Sequence, residues 1–157
     1  MYKRQAFFET SADSEFDSWL TVGVDDGSAA TDISSIGIDF SAWTVDSGLE
    51  VSDGAVFWLM PDNGPSGTVT VAQLTVADGS SGSVSMGVQG RAVEGEDWQS
   101  MRTWIYGDTS GPSPPAPAPP PSSSDVEGVT VVSTDGVAGM TTVRLSITLD
   151  ETQSNIY

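Results

Sequence analysis

The chain has 157 residues, with 22 Asp and Glu against five Lys and Arg, no His and no Cys, and a formal net charge of -17 at pH 7. Without Cys it has no thiolate nucleophile, disulfide framework or thiolate metal site, and without His it lacks the commonest general base and metal ligand. The acidic balance argues against nucleic acid as a partner, because phosphate binding needs clustered Lys and Arg.

The first five residues, MYKRQ, hold Lys3, the sole lysine, beside Arg4. This start resembles a translated sequencing-adapter remnant of the kind that begins many reading frames in environmental assemblies. We therefore expect residues 1–5 to be a non-native leader. The chain then turns acidic before the apolar region of a secretory signal can form, and no run approaches the ~18 apolar residues of a membrane span.

Short apolar alternations separated by turn residues predict an all-β fold. We expect residues 6–107 to form an antiparallel β-sandwich, either a jelly roll or immunoglobulin-like. The alternations are LTVGV (20–24), IGIDF (36–40), VSMGV (84–88) and TTVRLSITL (141–149). In the last of these, Val143, Leu145, Ile147 and Leu149 are predicted to face inward and Thr142 to face water. No stretch has sustained helical periodicity.

Three further segments carry specific predictions. In TVTVAQLTV (68–76) the apolar residues change from odd positions, Val69 and Val71, to even positions, Leu74 and Val76. We therefore expect a β-bulge near Ala72 that returns all four side chains to one face of the sheet. In AVFWLM (55–60) both the odd and the even positions are apolar, so both faces of a strand would be apolar. This predicts a central strand, or one whose second face is also covered. In the turn PDNG (61–64), Asn63 or Gly64 is expected at positive φ.

Residues 108–125 form a Pro/Ser-rich linker that contains seven of the nine prolines. Proline lacks the ladder donor, so this segment predicts a polyproline-II spacer and a boundary. Residues 126–157 are too few to bury both faces of their strands alone. Either they are the truncated start of a second β-sandwich repeat, or they are strands that complete the first. Tyr157 lies within an apparent strand, which favours truncation.

Four segments carry a resemblance to a known family: EFDSWLTVG (15–23), IGIDFSAW (36–43), AVFWLMPDNGPSG (55–67) and VAQLTV (71–76). Together they resemble an uncharacterised β-sandwich repeat of long modular secreted and surface proteins from marine microbial sequences. The resemblance implies an extracellular or cell-surface location and a structural, adhesive or scaffold role. Partners would be other modules, extracellular matrix or polysaccharide. A more distant similarity to cohesin-like and carbohydrate-binding jelly-roll modules implies the alternative, a module of a polysaccharide-degrading system.

Aromatic and acidic residues supply the candidate sites. Trp98, in GEDWQS, and Trp43 are candidate ligand-binding platforms, whereas Trp58 is expected in the core, where most of the rings are expected to pack. Asp25, Asp26 and Asp62 are candidate Ca²⁺ ligands, although solvated turns also explain such acids. A paired-carboxylate glycosidase is the one enzyme class that the missing residues permit. No carboxylate pair stands out, so we expect a protein that is not an enzyme and needs no cofactor, with calcium as the one candidate ion.

Overall fold

The computed structural model describes residues 16–24, 32–44, 46–107, 128–133 and 136–157. In these ranges the chain is all-β with antiparallel pairing throughout, as predicted, and two short 3-10 helices occur at Phe40–Ala42 and Pro61–Asn63. The strands are β1 (Trp19–Leu20), β2 (Ile33–Ile36), β3 (Ala55–Trp58), β4 (Thr68–Ala77), β5 (Gly82–Gly90), β6 (Trp98–Tyr106), β7 (Gly128–Ser133) and β8 (Met140–Thr148).

The strands form one four-stranded sheet and two hairpins. The large sheet has the order β1-β4-β8-β7, and the two-stranded sheets are β2-β3 and β5-β6. Strand β8 is central in the large sheet, paired with β4 on one side and β7 on the other. The strands that follow the Pro/Ser-rich segment therefore share a sheet with strands that precede it. The sandwich arrangement stays a prediction, and the Pro/Ser-rich segment itself lies outside the described residues.

The bulge predicted in β4 is confirmed. The register with β8 shifts between Thr70 and Ala72, with Thr70 opposite Ser146 and Ala72 opposite Leu145. An extra residue on one strand reverses the facing of everything after it. Val69 and Leu74 therefore face the same side in spite of their opposite parity, and each lies opposite an apolar residue of β8.

The core lies mainly between β4, β8 and β6. Its buried apolar residues are Val22, Ile33, Val69, Val71, Ala72, Trp104, Val143, Leu145, Ile147 and Ile156. Trp104 is fully buried, and its indole Nε1 donates a 2.8 Å hydrogen bond to the backbone oxygen of Ser146. This bond attaches the β5-β6 hairpin to the central strand of the large sheet and satisfies a polar group that burial would otherwise penalise.

The segment IGIDF departs from prediction. The strand ends at Ile36, which is 67% exposed, and Gly37 turns the chain with a φ of +69°. A Cβ on Gly37 would collide with the backbone oxygen of Asp53, so the close approach requires glycine there. Asp39 then caps the first 3-10 helix by accepting a hydrogen bond from the amide of Ser41. Local turn chemistry thus overrides the alternating pattern.

Two other strand-level predictions need correction. Strand β3 is not central, since it pairs with β2 alone among the described residues. Its Val56, Phe57 and Trp58 are half-buried on both faces, but Leu59 and Met60, which follow the strand, are exposed. In the PDNG turn no residue has positive φ, because Pro61–Asn63 forms a 3-10 helix and Gly64 follows it at a φ of -62°. Proline at the first helical position favours that helix.

Thr142 is buried at 2% exposure, although its parity predicts a solvent-facing side chain. Its hydroxyl contacts that of Thr75 at 2.8 Å, and the Thr75 hydroxyl also donates to the backbone oxygen of Phe16. The chain at Phe16–Trp19 therefore lies over this end of the sheet. Such a covering segment cannot be inferred from the strand's own period.

Candidate functional site

Three of the five sequence-predicted site residues lie within the described ranges. Asp62 and Trp98 are brought together at one end of the β5-β6 hairpin, through their common neighbour Arg91. Trp43 lies elsewhere, directly after the first 3-10 helix. Asp25 and Asp26 fall outside the described residues. The structure thus joins a predicted calcium ligand and a predicted aromatic platform in one place.

An ionic group that we call the Arg91 cluster consists of Asp62, Arg91, Asp97 and Tyr157. Arg91 Nε lies 3.0 Å from Oδ1 of Asp62, and its Nη1 lies 3.0 and 2.8 Å from the two carboxylate oxygens of Asp97. The guanidinium carbon also lies 5.5 Å from the centroid of the Tyr157 ring, within cation-π range. The carboxylates neutralise one of the few positive charges in a strongly acidic chain.

Asp97 and Tyr157 are linked directly as well. The phenol of Tyr157 donates a 2.8 Å hydrogen bond to Oδ2 of Asp97. Hydrogen bonds from Arg91 and then from Tyr157 stabilise the ionised carboxylate and lower the pKa of Asp97. The same bond to Asp97, with partial burial second, raises the pKa of Tyr157. Both pKa shifts have the same cause, which is that the ionised Asp97 carboxylate accepts hydrogen bonds, among them the one from Tyr157.

Beneath the ionic contacts, the buried side chain of Asn155 ties three segments together. Its Nδ2 donates to the backbone oxygen of Pro61 at 2.9 Å, and its Oδ1 accepts from the amide of Arg91 at 3.2 Å. The backbone of residues 152–157 adds hydrogen bonds along the end of β5, with the amide of Tyr157 donating to the oxygen of Gln89 at 3.1 Å. The arrangement attaches the segment 152–157 to the hairpin and to the Pro61 loop.

Trp98 is half-buried, and its polar edge is engaged within the protein. Its indole Nε1 donates to the backbone oxygens of Arg91 at 3.1 Å and Asn155 at 3.2 Å. The ring also contributes to the packing around the core. Because these bonds fix the ring against the segment 152–157, only its remaining exposed part is open to a ligand.

Trp43 has a different setting. It is half-buried and follows the exposed residues Ser41 and Ala42. Nearby, the carboxylate of Asp39 accepts hydrogen bonds from the hydroxyl and amide of Ser41, and these two bonds lower the pKa of Asp39. A partly exposed aromatic ring a few residues from an ionised carboxylate is a combination that can contact a sugar. Trp58 is half-buried against the core, and Trp104 is fully buried.

In the described part of the chain, no group of three or more acidic side chains is placed to hold a metal ion. The carboxylate of Asp62 is 85% exposed and pairs with Arg91. A cation beside an acid competes with Ca²⁺ for the same oxygen atoms. Calcium at Asp62 would therefore compete with Arg91 for Oδ1.

A second arginine serves a comparable purpose on the large sheet. Arg144 of β8 donates from Nε to Oε1 of Gln73 at 3.2 Å, and its guanidinium carbon lies 5.8 Å from the centroid of the Trp19 ring. The buried Gln73 side chain donates in turn to the backbone oxygen of Asp17 at 3.0 Å. Arg144 thus helps to fix the segment around Asp17, as Arg91 fixes the segment around Asn155.

Sequence reasoning missed Arg91, Asn155 and Tyr157. One signal was available, because the chain has only three arginines after residue 5. Because carboxylates greatly outnumber these arginines, each arginine is expected to form an ion pair with a carboxylate. Nothing in the local sequence marks Asn155, whose partners lie 94 and 64 positions away.

Among the described residues, no helix is long and apolar enough to cross a membrane. Scans against family models, curated proteins and solved structures gave no match to the chain.

Proposed function

We propose that the chain is a non-enzymatic module of a longer, repetitive extracellular or cell-surface protein, with a structural, adhesive or scaffold role. The observation that supports this proposal is the set of contacts that Arg91 and Arg144 make within the protein. Arg91 and Arg144 both fix chain segments onto the sheets through carboxylate, amide and aromatic contacts. In the described residues, the polar contacts of these two arginines therefore stabilise the fold.

The high negative charge supports the same proposal. A net charge of -17 keeps a module soluble and discourages non-specific association with other acidic polymers. The Pro/Ser-rich composition of residues 108–125 is typical of spacers in secreted proteins. These are properties of a module that stays folded and does not associate non-specifically.

The alternative is a carbohydrate-binding or cohesin-like module, and Trp43 is the observation that favours it. Trp43 is half-buried and follows, by four residues, the ionised carboxylate of Asp39, and it takes no part in the contacts described for segment 152–157. Substitution of Trp43 can therefore test ligand binding without disturbing the Arg91 cluster.

A polysaccharide pull-down and a glycan array distinguish the two proposals. The structural role predicts no saturable glycan binding by the intact chain. Saturable binding that Trp43→Ala abolishes, with an unchanged circular dichroism spectrum, would establish the alternative and contradict our proposal. Trp98→Ala is the comparison variant, because loss of its two backbone hydrogen bonds should lower stability whether or not a glycan binds.

A further inference from the structure

The edge of strand β5 that faces away from β6 is covered at one end, and along the rest no described strand pairs with it. The oxygen of Arg91 accepts from the amide of Ser154 at 2.8 Å, and the oxygen of Gln89 accepts from the amide of Tyr157 at 3.1 Å. A bridge between Ala92 and Gln153 completes this antiparallel contact. Segment 152–157 therefore adds to the side of β5 that faces away from β6.

The direction of the Gln89 oxygen fixes the direction of the other backbone groups. In an antiparallel pair, alternate residues point their N–H and C=O groups toward the partner strand and away from it. Since Gln89 points away from β6, Ser83, Ser85 and Gly87 do so as well. The 2.9 Å contact between the Ser85 and Thr103 hydroxyls agrees, because cross-strand side chains are closest at non-hydrogen-bonded pairs. No described strand pairs with these groups.

This edge carries none of the usual protection. Strand β5, GSVSMGVQG, contains no charged residue and no proline, and its register with β6 is regular over nine residues. By contrast, β1 is two residues long, and β7 has a register shift at its end. Short strands, bulges and charges are the devices by which proteins prevent edge-to-edge pairing. A long neutral edge in a chain of charge -17 is therefore a place where another strand can add.

We propose that this edge pairs with the same edge of a second copy of the chain. In an antiparallel arrangement centred on Ser85, that residue lies opposite the partner's Ser85, and Ser83 lies opposite the partner's Gly87. Each such pair exchanges two backbone hydrogen bonds. The result is a continuous four-stranded sheet with the two β5 strands at its centre.

Side-chain chemistry favours a second copy over an arbitrary strand. The residues on the outer face of this edge are small and uncharged, so two copies meet without like charges in contact. On the inner face, Val84 lies opposite the partner's Met86, and both are only partly buried against the core in the single chain. The pairing removes apolar surface from water on both copies. It goes beyond the proposed function, since it concerns the chain itself wherever it is located.

The test compares two matched lysine variants, Ser85→Lys and Thr103→Lys. Both remove the same hydroxyl contact and add the same charge on the same exposed face, but Ser85 lies on the edge proposed to pair and Thr103 on the neighbouring strand β6. Light scattering after size exclusion should show the intact chain approaching twice its 16.3 kDa mass as concentration rises. Ser85→Lys should raise the dissociation constant about tenfold or more, whereas Thr103→Lys should leave the dimer in place.

Two further measurements, of salt dependence and of amide exchange, test the proposed dimer. Added salt should strengthen the dimer, because it screens the repulsion between two strongly acidic copies. Amide exchange should become slower with concentration at Ser83, Ser85 and Gly87. A monomer at every concentration, or amides at these positions that are equally protected in the monomer, would overturn the proposal. So would a dimer lost with Thr103→Lys and kept with Ser85→Lys.

Discussion

Asp97 is the residue at which the contacts of segment 152–157 converge. It accepts hydrogen bonds from the guanidinium of Arg91 and the phenol of Tyr157, and these donors lower its pKa from an ordinary value of 3.8. A group whose pKa is lower in the folded state contributes stability above its unfolded pKa, and the contribution is lost as the pH falls through the folded value. The Arg91 cluster is therefore expected to weaken in acid.

Asp97→Asn should lower the unfolding free energy at neutral pH, because the neutral amide is a poorer acceptor for Arg91 and Tyr157. The difference between parent and variant should shrink as the pH falls below the ordinary carboxyl pKa of 3.8 and through the lower pKa of the folded state. Urea unfolding across this pH range measures it. Asp53→Asn, which changes an exposed carboxylate remote from the cluster in sequence, is the control. A difference that is constant with pH would contradict the assignment.

Tyr157→Phe separates the two donors of Asp97. Loss of the phenol removes the second largest cause of the lowered pKa and leaves the Arg91 contacts in place. We expect the Asp97 pKa, followed by carboxyl chemical shifts, to rise toward its ordinary value without reaching it. A pKa identical in parent and variant would mean that the phenol does not donate to Asp97 in solution.

Trp104 carries the buried hydrogen bond between the hairpin and the large sheet. Trp104→Phe keeps an aromatic ring but removes the donor to the Ser146 oxygen, so we expect a loss of about 1–3 kcal/mol in unfolding free energy. Met101, which is 73% exposed on the same strand, provides the control. Met101→Ala should change stability by less than about 0.5 kcal/mol. Equal effects of the two substitutions would contradict the placement of Trp104.

At the scale of elements, strand β5 contains two glycines with opposite surroundings. A Cβ on Gly90 would collide with the backbone oxygen of Asn155 and approach the Trp98 ring at 2.7 Å, whereas a Cβ on Gly87 would meet nothing within 4 Å. The close packing of segment 152–157 on the end of β5 thus depends on the absence of a side chain at Gly90.

Gly90→Ala should therefore cost about 1–3 kcal/mol, because the backbone of segment 152–157 must move to admit the methyl group. Gly87→Ala on the same strand should be neutral or slightly stabilising, since it restricts the unfolded chain without a clash. Denaturant unfolding measures both, and amide exchange at Tyr157 should rise in Gly90→Ala alone. Equal stability of the two variants would show that segment 152–157 does not pack there.

The strands could be predicted from sequence where apolar alternation is strong and the strand is long. Strand β8 and the bulge of β4 follow from the spacing of Val143, Leu145 and Ile147 and from the parity change at Ala72. Prediction failed at IGIDF because a glycine turn and a helix cap compete locally with the alternating pattern. It also failed at Thr142, because a segment distant in sequence covers that face.

The candidate site was less predictable than the fold. Trp98 and Asp62 were selected by residue type, and the structure places both next to Arg91. Their roles as ligand platform and calcium ligand stay predictions. Apart from the Arg91–Asp97 pair, which is six residues apart, the described side-chain contacts among Arg91, Asn155, Tyr157 and their ionic partners join segments separated by 29 to 94 residues, and such pairings have no local sequence signature.

At the scale of the whole molecule, the central feature is the position of β8. It follows the Pro/Ser-rich segment in sequence, yet it pairs with β4 along nine residues and supplies Val143, Leu145 and Ile147 to the core. Trp104 and Ser146, which are hydrogen-bonded, also lie on opposite sides of that segment. The chain before and after residues 108–125 should therefore unfold as one cooperative unit.

Cleavage within the Pro/Ser-rich segment tests this claim most directly. A specific protease site introduced within residues 112–121 allows the purified chain to be cut after folding. We predict that the two pieces remain together on native size exclusion, keep the circular dichroism spectrum of the uncut chain and separate only in denaturant. Pieces that separate in native buffer, with the spectrum of the first piece unchanged, would contradict the shared sheet and show that residues 126–157 belong to a separate unit.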